Sequence, residues 1–130
     1  MNKNGDGILY SVGYTYYYDD IEEFRGNTFD RFAGAAIPSD RKLGWIVPDS
    51  LQDRWKLKIG KSQREIHNLF CGIEEIDMFI HGSEHSHPYM MFEYEIAREW
   101  ISENGVILSD DINQSLAFDV FNRVRDTRWG

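Results

Sequence analysis

Residues 81 to 87 read His81-Gly82-Ser83-Glu84-His85-Ser86-His87, three imidazoles and a carboxylate in one short run. Imidazole titrates near neutral pH and binds metals through a neutral ring nitrogen, so this run could supply metal ligands or a general base. The structural alternative is that His85 and His87 cap or flank the helix that follows. A second group, Asp110-Asp111, comes directly after an apolar run. Adjacent side chains on a strand point to opposite faces, so both carboxylates reach one ion only if the chain turns between them. Paired carboxylates beside an imidazole suit Mg2+ or a similar hard ion. Otherwise one aspartate caps the next helix and the other faces water. Glu93, Glu95 and Glu99 read as a solvated helix face, and Met90 and Met91 as core. Trp45 and the tyrosines at 16 to 18 could wall a substrate pocket, or simply pack.

The elements that must position these groups follow from periodicity. Ile8 to Tyr14 is β-branched and aromatic between turn residues, and reads as a strand. Trp55 to Ile59 alternates Trp-Lys-Leu-Lys-Ile, a strand with one polar face. Ser62-Gln63-Arg64-Glu65 has the form of a capping box and opens a helix with Ile66, Leu69 and Phe70 on its apolar side, stopped by Gly72. Ile76 to Ile80 and Val106 to Ser109 are short apolar strands. Between them a helix runs from Pro88, a residue tolerated in a first turn, to Glu103, with Met91, Tyr94, Ile96, Trp100 and Ile101 at helical spacing. A last helix, Ser115 to Val124, offers Leu116, Val120, Phe121 and Val124 to the core. Thr15 to Ser50 is aromatic and acidic, with a weak helical pattern over Asp19 to Phe32, and reads as a lid or as a cover over one sheet face.

Alternating strands and helices predict an α/β fold with a mainly parallel sheet flanked by helices. Ligands in such folds bind beyond the carboxyl ends of the strands, which selects Ser11 to Tyr14, Gly60 to Ser62, His81 to His87 and Asp110 to Asn113. The 130 residues fit one domain. The net charge of −8 opposes a nucleic-acid binder, which needs a basic stripe to displace counterions. Cys71 is the one cysteine, so an internal disulfide is excluded and a reducing cytoplasm is the natural setting. No apolar run approaches the roughly 20 residues of a membrane span, and Asn2 to Gly7 lacks the apolar core of a signal peptide. A soluble protein without nucleic-acid or membrane partners is expected.

Three segments together resemble a specific family: Gly44-Trp45-Ile46-Val47-Pro48-Asp49-Ser50-Leu51-Gln52-Asp53-Arg54-Trp55 leading into Gly60-Lys61-Ser62, then Ile76 to Ser86 with Met91-Phe92-Glu93-Tyr94-Glu95, then Gly105 to Ile112. They are similar to class I S-adenosylmethionine-dependent methyltransferases, in the group of small-molecule O-methyltransferases related to macrocin O-methyltransferase and cephalosporin hydroxylase. The resemblance implies a partial Rossmann-like methyltransferase sheet, with Ile8 to Tyr14 as second strand, Trp55 to Ile59 third, Ile76 to Ile80 fourth and Val106 to Ser109 fifth. It implies S-adenosylmethionine as cofactor, with Gly13 at the end of the second strand, Lys61 and Ser62 near the adenine, and His81, Gly82 and Ser83 beside the methionine end. His85 and Asp111 become candidates for deprotonating a hydroxyl on a small-molecule substrate. Asp110, Asp111 and His85 become candidates for a metal such as Mg2+.

The chain departs from the family pattern at Gly13, where an acidic residue usually grips the ribose, and at Gly82, where an aspartate is common. It also lacks the first strand and its glycine-rich turn, so a single truncated domain is expected. That strand lies between the second and fourth, and its absence would leave a gap of about 10 Å, two strand spacings, which a homo-oligomer could cover. Two other functional readings stand beside methyl transfer: a non-catalytic methyltransferase-like module, and a metal-dependent enzyme of the hydroxylase-like branch.

Overall fold

The computed structural model describes residues 7–13, 16–17, 36–38 and 40–129. They fall into two compact units, Gly7–Gly60 and the chain from Lys61 onward.

In the first unit, β1 (Leu9–Gly13) runs parallel to β4 (Trp55–Ile59), with Leu9 opposite Trp55 and Gly13 opposite Ile59. The alternation of β4 has its expected consequence: Trp55 and Leu57 are half-buried, while Lys56 and Lys58 face water. The Trp55 indole N–H donates to Ser11 Oγ at 3.0 Å, and the Arg54 guanidinium donates twice to the Gly7 carbonyl, at 2.9 and 3.1 Å. A two-residue ladder joins β2 (Tyr16–Tyr17) to β3 (Ala36–Ile37), and a single helical turn, α1 (Asp49–Gln52), follows Pro48. Gly44 has φ +79°, and a Cβ there would lie 1.9 Å from the Trp55 ring. Only glycine allows both that conformation and that approach. Tyr14 and all of Asp19 to Phe32, where a helix is expected, lie outside the described residues.

In the second unit, β5 (Ile76–His81) runs parallel to β6 (Ile101–Ser109). The pair is flanked by α2 (Ser62–Cys71), α3 (His87–Trp100) and α4 (Ala117–Trp129). Helix α3 has two buried sides. Ile96 and Ala97 pack with Ile66 and Phe70 of α2 and Phe79 of β5; Met90 and Tyr94 pack with Ala117 and Phe121 of α4. Burial of each such large side chain contributes about 1.5–3 kcal/mol. The fold is α/β, with short parallel strand pairs flanked by helices in a partial Rossmann-like arrangement. The pairings are second strand with third and fourth with fifth, as the resemblance implies, and the described strands form separate two-stranded sheets.

Several boundaries differ from expectation. Lys61 occupies the N-cap of α2 and Ser62 is its first helical residue, with no side-chain capping bond, so the capping box does not form. Helix α3 stops at Trp100, not Glu103, because Ile101 turns extended and pairs with Ile76. The ladder then slips from Ile76↔Ile101 to Met78↔Val106, and the extra β6 residues form a bulge in which Gly105 lies against Ile101; a Cβ at 105 would fall 2.6 Å from Ile101 Cγ1. Helix α4 begins at Ala117, whose N–H donates to Ser115 Oγ at 3.2 Å. Of its four expected core residues only Phe121 is buried; Leu116, Val120 and Val124 are exposed. Glu93, expected in solvent, is buried. Among the described residues, no helix is long and apolar enough to cross a membrane.

Candidate functional site

Because β5 and β6 are parallel neighbours, the loops leaving His81 and Ser109 emerge on the same side. The Asp110 N–H donates to the His81 carbonyl at 3.0 Å, which ties the two exits together. Asp111 then adopts φ +47°, a left-handed conformation that aspartate tolerates better than most residues. This is the turn required for adjacent carboxylates to face one point. Asp110 Oδ1 accepts the Asp111 N–H at 2.8 Å, and Gln114 Nε2 donates to Asp111 Oδ2 at 2.8 Å from the 3-10 turn Ile112–Gln114.

His85 faces this pair. Its Nε2 lies 3.9 Å from Asp111 Oδ2, and that nitrogen is buried without a hydrogen-bond partner. His85, Asp110 and Asp111 each present a ligand atom, all within 4.8 Å of one another. Ligands around a divalent ion at about 2.1 Å stand about 3–4 Å apart, so one imidazole and two carboxylates fit such an ion after small adjustments. Of the structural alternatives for His85 and His87, capping does not occur but flanking does: Ser86 is the N-cap of α3, His87 is its first residue, and no side chain caps it. Ser86 Oγ instead donates to Glu84 Oε1 at 2.8 Å.

Beneath the cluster is a buried polar group. The His81 side chain is 0 % exposed and that of Glu93 4 %, with Nε2 and Oε2 3.6 Å apart. Glu93 Oε1 accepts the Ser83 hydroxyl at 2.7 Å. On the other side of the ring, Ser109 Oγ lies 3.5 Å from His81 Nδ1 and 2.5 Å from the Tyr94 hydroxyl. The rings of His81 and His85 meet edge to face with centroids 5.5 Å apart. Burial pushes the His81 pKa below its ordinary value, the Glu93 carboxylate opposes that, and His85 adds to the lowering. Burial likewise raises the Tyr94 phenol, with the Ser109 bond opposing it.

The remaining candidates belong to both units. Gly13 ends β1 in the first unit, its carbonyl accepting the Gly60 N–H at 2.9 Å. Lys61 and Ser62 stand at the start of α2. Gly82 and Ser83 are exposed, and a Cβ on Gly82 would meet nothing within 4 Å. Trp45 is exposed and lines an open cavity of about 450 Å3 with Arg41, Lys42, Gly44, Gln52 and Trp55, with Arg41 over the Trp45 ring at 5.0 Å.

A family model described as a methyltransferase domain matches residues 2–112. The chain belongs to this methyltransferase family. The match runs through β1, β4, β5 and β6 to Asp110-Asp111, so every candidate residue named above lies inside it. No curated protein and no solved structure matches the chain. In this methyltransferase, Glu93, Tyr94 and Ser109 are the functional-site neighbours that sequence reasoning missed. The available signal was spacing: Met90, Glu93, Tyr94 and Ala97 form an i, i+3, i+4, i+7 stripe, and all four are buried.

Proposed function

We propose that the protein transfers the methyl group of S-adenosylmethionine to a hydroxyl of a small molecule, within the group related to macrocin O-methyltransferase and cephalosporin hydroxylase. The observation that carries this reading is His85 beside Asp111 at the carboxyl ends of adjacent parallel strands, with the orphaned Nε2 turned toward the carboxylate. The hydroxyl proton is taken by the His85–Asp111 pair as the oxygen attacks the methyl carbon in line, entering through the Asp111 carboxylate, which is 47 % exposed while His85 Nε2 is buried beside it. The carbon–sulfur bond breaks, and its electron pair stays on sulfur as the neutral thioether. Asp111 then passes the proton to solvent. Ser83 and Gly82 after β5, with Lys61 and Ser62 at the start of α2, are the proposed cofactor contacts of this unit. A divalent ion such as Mg2+, held by Asp110 and Asp111 with His85 alongside, would lower the pKa of a bound hydroxyl. The unpaired Cys71 suits a reducing cytoplasm.

The test is transfer of a labelled methyl group from S-adenosylmethionine to a panel of sugar, macrolide-glycoside and phenol hydroxyls by the purified chain. Product is expected with the native protein and about 10²–10⁴-fold less with His85→Ala. Absence of transfer to every hydroxyl would remove the reading.

A further inference from the structure

We infer that Glu93 is a positioning residue, a buried clamp that holds the turn from His81 to Ser83 and thereby sets the place of His85 opposite Asp111. The inference rests on the proposed role of His85, and Glu93 itself touches neither of the two.

A glutamate in the middle of α3, on the same stripe as Met90, Tyr94 and Ala97, would be expected to face water unless something holds it. Here its two oxygens take different partners on either side of Gly82. Oε1 accepts from Ser83 at 2.7 Å, and Oε2 faces His81 Nε2 at 3.6 Å. One carboxylate on α3 therefore bonds the Ser83 end of the turn and lies beside the His81 end, where Nε2 is buried without a hydrogen-bond partner. Gly82 between them is exposed, and a Cβ there would meet nothing within 4 Å, so crowding at this position does not define the turn. The position of the His81 ring is fixed further by Ser109, whose hydroxyl is also bonded to Tyr94. That ring is the surface against which His85 packs, edge to face at 5.5 Å. No hydrogen bond holds His85 Nε2 in place, so the orientation of His85 derives from this packing and from the loop that carries it.

The clamp works through the Ser83 hydrogen bond and the place of the carboxylate beside His81, and this separates it from a packing role and from a purely electrostatic one. Glu93→Leu fills a similar volume but cannot accept from Ser83. Glu93→Gln keeps an oxygen for Ser83 and a polar atom for His81, with no charge. Misplacement of a reacting group by about 1 Å lowers a rate about 100-fold. We expect Glu93→Leu to lose methyl transfer by about that factor with KM for the acceptor unchanged, and Glu93→Gln to recover most of it. Glu95→Gln, at a partly exposed position one residue from the stripe, should leave the rate unchanged.

A second readout does not depend on turnover. The ring Cε1–H resonance of His85, assigned by its loss in His85→Ala, should hold a distinct position in the native protein and in Glu93→Gln. It should move to the position of free histidine in Glu93→Leu. If Glu93→Leu does not fold, Ser83→Ala releases the outer end of the clamp from an exposed position, and the same movement is expected. An unmoved His85 resonance in the folded variant overturns the inference, as does Glu93→Gln behaving like Glu93→Leu. Absence of methyl transfer by the native protein would overturn the proposed function and leave the resonance to decide the clamp.

Discussion

His85 Nε2 and Asp111 Oδ2 face each other at 3.9 Å across two loops that leave neighbouring parallel strands. The left-handed turn at Asp111 makes the meeting possible, because an extended residue there would send the side chain to the opposite face. Asp111→Asn keeps the shape and a hydrogen bond to Gln114 but removes the charge opposite the imidazole. The expected outcome is a fall in methyl transfer of about 10-fold or more with little change in thermal midpoint, checked by initial-rate kinetics and calorimetric melting. A native-like rate would show that the carboxylate takes no part.

The buried His81 predicts how stability depends on pH. Its pKa in the folded protein is lowered, chiefly by burial, whereas in the unfolded chain it lies near the ordinary 6.5. Below that value the unfolded chain takes up a proton that the folded one resists. This contribution is therefore complete above about pH 6.5 and lost as the pH falls below it. Urea midpoints at pH 7.5 and 5.5 should show the loss, and His81→Asn should reduce it. Equal losses in both proteins would assign the effect elsewhere.

Tyr94 carries its shift in the other direction. Its phenol is raised above the ordinary value near 10, so the unfolded chain ionises first and stability declines as the pH rises above about 10. Tyr94→Phe removes that decline. It also leaves Ser109 Oγ without its 2.5 Å partner, for a cost of about 1 kcal/mol at neutral pH, measurable by urea titration.

Phe121 joins α4 to the Tyr94 ring, with centroids 5.2 Å apart, and is 2 % exposed. Phe121→Ala should cost about 3–5 kcal/mol and uncouple α4 from α3, readable as a lower midpoint and faster amide exchange in α4. A cost near zero would mean that this packing is absent in solution.

The main strands were legible because their patterns are redundant. Trp55 to Ile59 alternates strictly, and Ile76 to Ile80 and Val106 to Ser109 are apolar runs beside turn residues; burial was not legible with them, since Ile59, Met78, Ile80, Val106 and Leu108 are exposed. The helix boundaries were less so. Ser62 has the composition of a cap, yet the helix begins one residue earlier in role, with Lys61 as N-cap. Nothing local at Ile101 signals that it leaves the helix, because its pairing with Ile76 is a long-range contact. The meeting of His85 with Asp110 and Asp111 was legible from residue type, as histidine and paired aspartates are scarce and lie at strand ends. The polar group beneath it was hidden because Glu93 is chemically a surface residue, and only its partners Ser83 and His81, ten and twelve positions away, make its burial tolerable.

The proposed use of S-adenosylmethionine is tested most directly by calorimetric titration of the purified chain with the cofactor. A saturable heat with a stoichiometry near one per chain is expected, weakened when Ser83 or Lys61 is replaced by alanine. No heat at millimolar cofactor, from protein shown to be folded, would contradict it.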